Sequence, residues 1–99
     1  MFAAQKFDVG HVLATPAALA ALEQAGQTPA DVLSRHAAGD WGEGLCATDQ
    51  QLNDAALAAG SRLLSAYRLA SGRKLWVITE AVDEAGRRPA TTLLLPDEY

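Results

Sequence analysis

The hydrophobic periodicity of this chain changes at Gly60. Before that glycine, Leu52 to Ala59 carries apolar residues at helical spacing. After it, apolar and polar residues alternate over Ser61 to Ala70, and Lys74 to Val82 carries the strongest strand pattern in the chain. Helices and strands bury side chains along different stripes, so one pattern does not suit the other element. The change therefore predicts an α+β fold, with most helices before Gly60 and most strands after it.

Two Thr-Pro pairs indicate where helices begin. Thr15-Pro16 and Thr28-Pro29 each offer an N-cap side chain followed by proline at the first helical position. Asp31 lies where an acid completes a capping box in the second helix. Gly26 and Gly39 are suited to end these two helices. A third helix is expected from about Asp49 to Ala59, with Thr48 as its cap.

The remaining segments predict the sheet. Residues 7 to 14 alternate at period two and predict a short N-terminal strand. Thr91 to Leu95 predicts a last strand that ends before Pro96. With the two strands after Gly60 this gives an antiparallel meander of three C-terminal strands, packed on one face against about three short helices. The 99 residues predict a single domain, 1–99.

Composition narrows the class of protein. The chain has a net charge of −4, and 49% of its residues are apolar, which excludes a disordered or collagen-like chain. Its acidic balance argues against a protein that coats nucleic acid. Cys46 is the only cysteine, so no internal disulfide forms, and no signal peptide or membrane-spanning segment is apparent. The expectation is a cytoplasmic protein.

An acidic segment is the main candidate for function. Asp40, Glu43, Asp49 and Asp54 lie between His36 and Gly60, a stretch without lysine or arginine. Such a patch can steer a basic partner surface, although a solvated face would have the same composition. Together with Trp41, these four acids are the predicted partner-binding residues.

Catalytic and metal-binding patterns are missing. Asp49 and Asp54 are five apart and do not share a helix face, and His11, His36 and Cys46 lie in three segments without zinc spacing. The histidines are interpreted as packing residues and Cys46 as a small buried hydrophobic residue. No nucleophile elbow or phosphate loop is present. The sequence therefore predicts no enzyme, no cofactor and no metal.

The sheet offers an alternative. Residues 61–99 hold six basic residues beside five acids, and Arg62, Arg68 and Lys74 are candidates for a nucleic-acid-binding sheet face. Both faces of the strand around Trp76 are fairly apolar, more than one helical layer needs. Another segment, a partner or a second copy in a homodimer would then cover the second face.

Several blocks in order resemble a known family. They are Gly39-Asp40-Trp41-Gly42, Asn53-Asp54-x-Ala56-Leu57, Gly60-Ser61-Arg62-Leu63-Leu64-Ser65-Ala66-Tyr67, Lys74-Leu75-Trp76-Val77-Ile78-Thr79-Glu80-Ala81 and Thr91-Thr92-Leu93-Leu94-Leu95-Pro96-Asp97-Glu98-Tyr99. Over most of its length the chain is similar to small phage- and plasmid-borne proteins of unknown function, often labelled "type I restriction endonuclease subunit M" or "plasmid-related protein". The chain departs from their pattern after Ala81, where Val82 to Pro89 makes a longer, more basic loop.

The resemblance implies an accessory protein of a mobile element. The methylase label does not fit, because such a subunit needs a much longer cofactor-binding sheet and a glycine-rich loop. Small acidic proteins of this kind are commonly interaction factors, some acting on host restriction or CRISPR systems. The expectation is a counter-defence factor, monomeric or homodimeric, that binds a host protein or a nucleic-acid-guided defence complex through the acidic segment. The alternative is a small regulator that contacts nucleic acid through the basic sheet face.

Overall fold

The structure, a computed structural model, describes residues 5–99. Three helices and four strands form in the order expected from the change of periodicity. Their bounds are β1 His11–Ala14, α1 Pro16–Gln24, α2 Pro29–Ala37, α3 Ala47–Ala59, β2 Leu63–Arg68, β3 Lys74–Thr79 and β4 Ala90–Leu94, followed by a 3₁₀ turn at Pro96–Glu98. The α+β class is thereby confirmed.

The strands form one mixed sheet in the order β1-β4-β3-β2. The meander of β2, β3 and β4 is antiparallel, with Tyr67 opposite Leu75 and Val77 opposite Leu93. The N-terminal strand β1 lies parallel to β4, with Leu13 opposite Thr92. The sheet therefore has two edges, β1 at one side and β2 at the other.

The Thr-Pro pairs begin α1 and α2 as expected. Thr15 Oγ1 accepts from the N–H of Ala18 at 3.0 Å. Thr28 and Asp31 form the capping box, with Thr28 Oγ1 accepting from the Asp31 N–H at 3.3 Å and Asp31 Oδ2 accepting from the Thr28 N–H at 2.8 Å. Local sequence chemistry thus sets where both helices start.

The core lies between one face of the sheet and the first two helices. Along β2, alternate side chains from Leu63 to Leu69 are fully or almost fully buried, and α1 and α2 contribute Leu22 and Val32. Tyr67 is the largest fully buried side chain. Its hydroxyl donates to the backbone oxygen of Asp40 at 2.6 Å, so the ring fills the core without leaving an unpaired polar group.

The predicted strand over 7–14 is too long, since β1 covers only His11–Ala14. Gly10 interrupts it with φ +65°, and a side chain there would collide with the backbone of Arg88 and Pro89. Upstream, Phe7 packs instead against His36, with ring centroids 5.2 Å apart.

Two expected burials are wrong. His11 is exposed because β1 is an edge strand that no helix covers on that side. Cys46 is exposed because it is the N-cap of α3, which begins at Ala47 rather than at Asp49 with Thr48 as its cap. Period-two and helical patterns do not reveal which strand is the edge or where an uncapped helix starts.

The second face of the sheet is covered partly by the chain itself. The 3₁₀ turn brings Tyr99 against Trp76, with ring centroids 5.6 Å apart. Ile78 and Leu94 on the same face are each 9% exposed. At the edge of the face, Leu13 remains 55% exposed.

Candidate protein-binding surface

The predicted acidic residues lie on a loop and a helix beside the outer edge of β2. The loop Asp40–Gly44 runs along this strand and pairs with it. The Ala66 N–H donates to the Trp41 oxygen at 3.0 Å, and the Gly44 N–H donates to the Ala66 oxygen at 2.9 Å. Gly42 has φ +91°, and a side chain there would collide with the Ala66 oxygen. The loop is therefore held against the sheet by its backbone.

The end of α2 brings a base to this loop. Gly39 and Asp40 form a Schellman turn, in which the Asp40 N–H donates to the Arg35 oxygen at 2.9 Å and the Gly39 N–H to the His36 oxygen at 3.0 Å. The turn folds the Asp40 carboxylate back beside the Arg35 side chain. Arg35 therefore lies beside the predicted acids, although it precedes the stretch from His36 to Gly60 that contains no lysine or arginine.

Arg35 binds two of the four acids. Its Nε donates to Asp40 Oδ2 at 2.7 Å and its Nη2 to Glu43 Oε2 at 3.0 Å. The guanidinium also lies over the Tyr67 ring, 4.5 Å from its centroid. The hydrogen bond to Asp40, opposed by partial burial, raises the pKa of Arg35 above its usual range, so its charge is permanent. Both carboxylates are consequently fixed in place.

Glu43 is also bound to the sheet. Its Oε1 accepts from the Arg68 N–H at 2.9 Å. Slight burial favours the neutral form, but the backbone N–H groups of Glu43 and Arg68 and the nearby Arg35 outweigh it and lower the pKa of Glu43. The side chain is about half exposed and carries its charge at neutral pH.

Trp41 is not on the surface. Its side chain is 3% exposed and stacks on Phe7, with centroids 6.2 Å apart. Its Nε1 donates to Asp54 Oδ1 at 2.9 Å, which ties the loop to α3. A buried indole offers almost no surface to a partner. The position of Trp41 therefore does not fit the prediction that it binds one.

Asp40, Glu43, Asp49 and Asp54 are all exposed. Asp49 lies in the first turn of α3, and its side chain makes no hydrogen bond or ion pair with the described residues. Four carboxylates and the Arg35 guanidinium sum to a formal charge of −3 (−4 + 1). The surface is acidic and partly rigid, and Asp49 is its least constrained charge. We name these four acids with Arg35 the acidic surface.

The basic residues of the alternative do not form one patch. Arg68 lies opposite Lys74 at one end of β2 and β3. Arg62 precedes β2 at the other end, with its guanidinium 5.4 Å from the centroid of the Tyr99 ring. All three are exposed. The structure places Arg62 beside the Tyr99 ring and separates it from Arg68 and Lys74 by the length of β2.

His36 is the centre of a buried polar chain that the sequence analysis missed. Thr91 Oγ1 donates to the Val9 oxygen at 2.7 Å and lies 2.6 Å from Thr79 Oγ1. Thr79 must then donate to Thr91 and accept from His36 Nε2 at 2.8 Å. This leaves His36 Nδ1 to accept from the Ser65 hydroxyl at 2.5 Å. Each hydroxyl of this chain has an acceptor only if the His36 imidazole is neutral and carries its proton on Nε2.

The surroundings of His36 favour that neutral form. Burial, followed by the positive charge of Arg88, lowers the pKa of His36 to about 4. Arg88 is 7% exposed, and its Nη1 donates to the oxygens of Ser61 at 2.8 Å and Glu80 at 3.0 Å. Both side chains are therefore buried parts of the fold, held by hydrogen bonds within it.

No protein-family model, curated protein or solved structure matches the chain. Among residues 5–99, no three or more His, Cys, Asp or Glu side chains are grouped so that they could hold a metal ion. Within the same range, no helix has the length and apolar character needed to cross a membrane.

Proposed function

We propose that this chain is a non-catalytic protein-binding factor of a mobile genetic element. It acts in the host cytoplasm as a counter-defence protein, and its acidic surface occupies a basic surface that a restriction or CRISPR complex uses for nucleic acid. The observation that carries the proposal is the fixing of Asp40 and Glu43 by Arg35 and by the backbone of β2, beside the exposed Asp49.

Preorganisation supports binding through this surface. Carboxylates held in place before association lose less side-chain freedom on binding than freely rotating ones. Their spacing is set by the sheet edge, so a partner meets a defined pattern of charge. Complementary charge raises the association rate and is weakened by salt.

The binding test requires variants that change charge without disturbing the loop. Asp49→Lys changes the one acid of this surface whose side chain makes no hydrogen bond. Asp54→Asn removes a charge but keeps an oxygen that can accept from the Trp41 Nε1. The matched control, Glu84→Lys with Glu23→Gln, changes net charge by the same amount at exposed positions outside the acidic surface. Circular dichroism and thermal unfolding verify the fold of each double variant.

The readout is affinity capture from nuclease-treated host lysate, with mass spectrometry. We expect the wild type and the control to retain a nucleic-acid-guided defence complex in stoichiometric amount. The Asp49→Lys/Asp54→Asn variant should retain at least tenfold less, a loss of about 1.4 kcal/mol. Equal retention by both double variants would show that the acidic surface is not the binding site.

A second candidate function is favoured by one contact. The guanidinium of Arg62 lies over Tyr99, which is 59% exposed and packs against Trp76 on the open sheet face. An aromatic ring can stack on a nucleobase, and a neighbouring guanidinium can bind the phosphate of the same nucleotide. This function predicts retardation of single-stranded DNA or RNA that is lost in Arg62→Ala and kept in Arg73→Ala. The absence of retardation at low salt would exclude it.

A further inference from the structure

The two edges of the sheet differ in how their backbone groups are paired. Along the outer side of β2, the N–H and oxygen of Leu64 are bound by the Asn53 side chain at 3.1 and 2.5 Å. The corresponding groups of Ala66 pair with the loop Asp40–Gly44, and the Arg68 N–H donates to Glu43. This edge has no room for another strand.

The outer side of β1 is different. The N–H groups of His11 and Thr15 point towards β4. They donate to the oxygen of Pro89, the residue before β4, at 3.1 Å and to the oxygen of Leu93 at 3.0 Å. Because backbone direction alternates along a strand, the N–H and oxygen of Val12 and Ala14 point away from β4. No other residue within 5–99 hydrogen-bonds to these outward groups.

The side chains of β1 do not protect this edge either. Natural edge strands commonly carry lysine, proline or a bulge, which prevent pairing with another chain. The sequence of β1, His-Val-Leu-Ala, has none of these. Val12 and Leu13 are 45% and 55% exposed. The edge therefore presents unpaired backbone groups flanked by apolar side chains.

We propose that β1 pairs with β1 of a second copy of this chain, so that two molecules form a continuous eight-stranded sheet. The pairing is antiparallel and symmetric, with Leu13 on the two-fold axis. Val12 exchanges two hydrogen bonds with Ala14 of the second copy, and the symmetry gives four in total. The two Leu13 side chains then meet as a directly opposed apolar pair.

The same register brings hydrogen-bond donors and acceptors together. When Val12 faces Ala14, His11 faces Thr15 of the other molecule. The Thr15 hydroxyl donates to Glu98 Oε1 at 2.7 Å, so a carboxylate lies at that position. Each His11 imidazole, a hydrogen-bond donor, therefore approaches the Glu98 carboxylate of the other molecule, and the two-fold symmetry gives this contact twice in the dimer. This self-complementarity favours a second copy over an unrelated extended peptide.

The pairing is small compared with a stable interface. A four-residue strand pairing is short for a stable protein–protein interface, which buries roughly 1,200–2,000 Å². The dimer is therefore in exchange with the monomer and populates at high protein concentration. The acidic surface lies at the β2 edge, on the other side of the sheet. Dimerisation therefore leaves both acidic surfaces accessible at the two ends of the sheet. The proposed dimer does not depend on the proposed function.

Sedimentation velocity over a concentration series up to about 1 mM tests the pairing, since Kd values near that limit correspond to weak association. The wild type should sediment faster as its concentration rises. Leu13→Lys places two like charges on the axis and should weaken the dimer at least tenfold. Leu52→Lys, at a 61% exposed position on α3, is the matched control and should associate like the wild type.

A second variant tests the same pairing with a different substitution, in case Leu13→Lys disturbs the fold. Val12→Pro removes an outward N–H at an edge position where proline is tolerated, and it should also remain monomeric. In the wild type, the amides of Val12 and Ala14 should exchange hydrogen more slowly as the dimer populates. A wild type that stays monomeric throughout overturns the proposal. Association of Leu13→Lys and Val12→Pro equal to that of the wild type also overturns it.

Discussion

Lowering the pH should destabilise this protein through one residue, His36. In the unfolded chain its imidazole has the ordinary pKa of 6.5, and in the fold burial and then Arg88 lower that pKa to about 4. Above pH 6.5 the imidazole is neutral in both states. Between pH 6.5 and about 4 the unfolded state binds a proton that the folded state does not, so stability falls as the pH falls.

The size of the effect follows from the two pKa values. A change from 6.5 to about 4 corresponds to about 3 kcal/mol, lost at up to about 1.4 kcal/mol per pH unit within that window. Burial explains the direction first, because an imidazolium in the core would lose its hydration, and the positive charge of Arg88 adds to this cost. The carboxylates of Glu43 and Glu98, whose pKa values are lowered from 4.5, lose their contribution as the pH falls below about 4.5, at the acidic end of this window.

Urea unfolding at pH 7.5, 6.5, 5.5 and 4.5 measures this slope. His36→Gln keeps a donor and an acceptor but does not titrate, so its slope should be smaller. His11→Gln changes the exposed histidine and should keep the wild-type slope. A wild-type stability that is flat between pH 6.5 and 4.5, or a slope that persists in His36→Gln, would refute the assignment of His36.

Two further predictions concern the elements that build the site, both read by urea unfolding at pH 7.5. Asn53→Ala removes both side-chain bonds to Leu64 and should destabilise the fold by about 2–3 kcal/mol. It should also open the β2 edge to aggregation, whereas Gln51→Ala on the exposed side of α3 should do neither. Thr28→Ala removes the capping box of α2 and should destabilise by about 1 kcal/mol, with Thr28→Ser close to wild type. Unchanged midpoints in Asn53→Ala and Thr28→Ala would contradict these roles.

The starts of α1 and α2 and the meander were predictable because their signals are local. A threonine before a proline supplies the cap and the fixed φ for α1 and α2, whatever the rest of the chain does. The three strands β2, β3 and β4 follow one another along the chain and pair in that order, so each strand pairs with its neighbour in sequence.

The other features depend on contacts between distant segments. The pairing of β1 with β4 joins His11 to Ala90, and periodicity does not reveal a partner so far along the chain. The exposure of His11 follows from that edge position. For Arg35 a signal was available, since Gly39 at the C′ position of α2 implies a Schellman turn that folds Asp40 back over the last turn.

Trp41 and Asp54 show why the acidic surface could be only partly predicted. Their hydrogen bond joins residues on a loop and on α3, and it buries an indole that the sequence places among exposed acids. Charge patterning locates a surface but does not distinguish an acid that faces solvent alone from one that anchors a buried ring.

If the acidic surface occupies a basic surface that otherwise binds nucleic acid, the chain must compete with that nucleic acid. This competition is measured by titrating the chain into the captured, purified defence complex and following the binding of nucleic acid. The wild type should displace nucleic acid in a saturable, salt-sensitive manner, and Asp49→Lys/Asp54→Asn should not. A complex that binds its nucleic acid equally well with and without saturating chain would show that the acidic surface does not occupy that site.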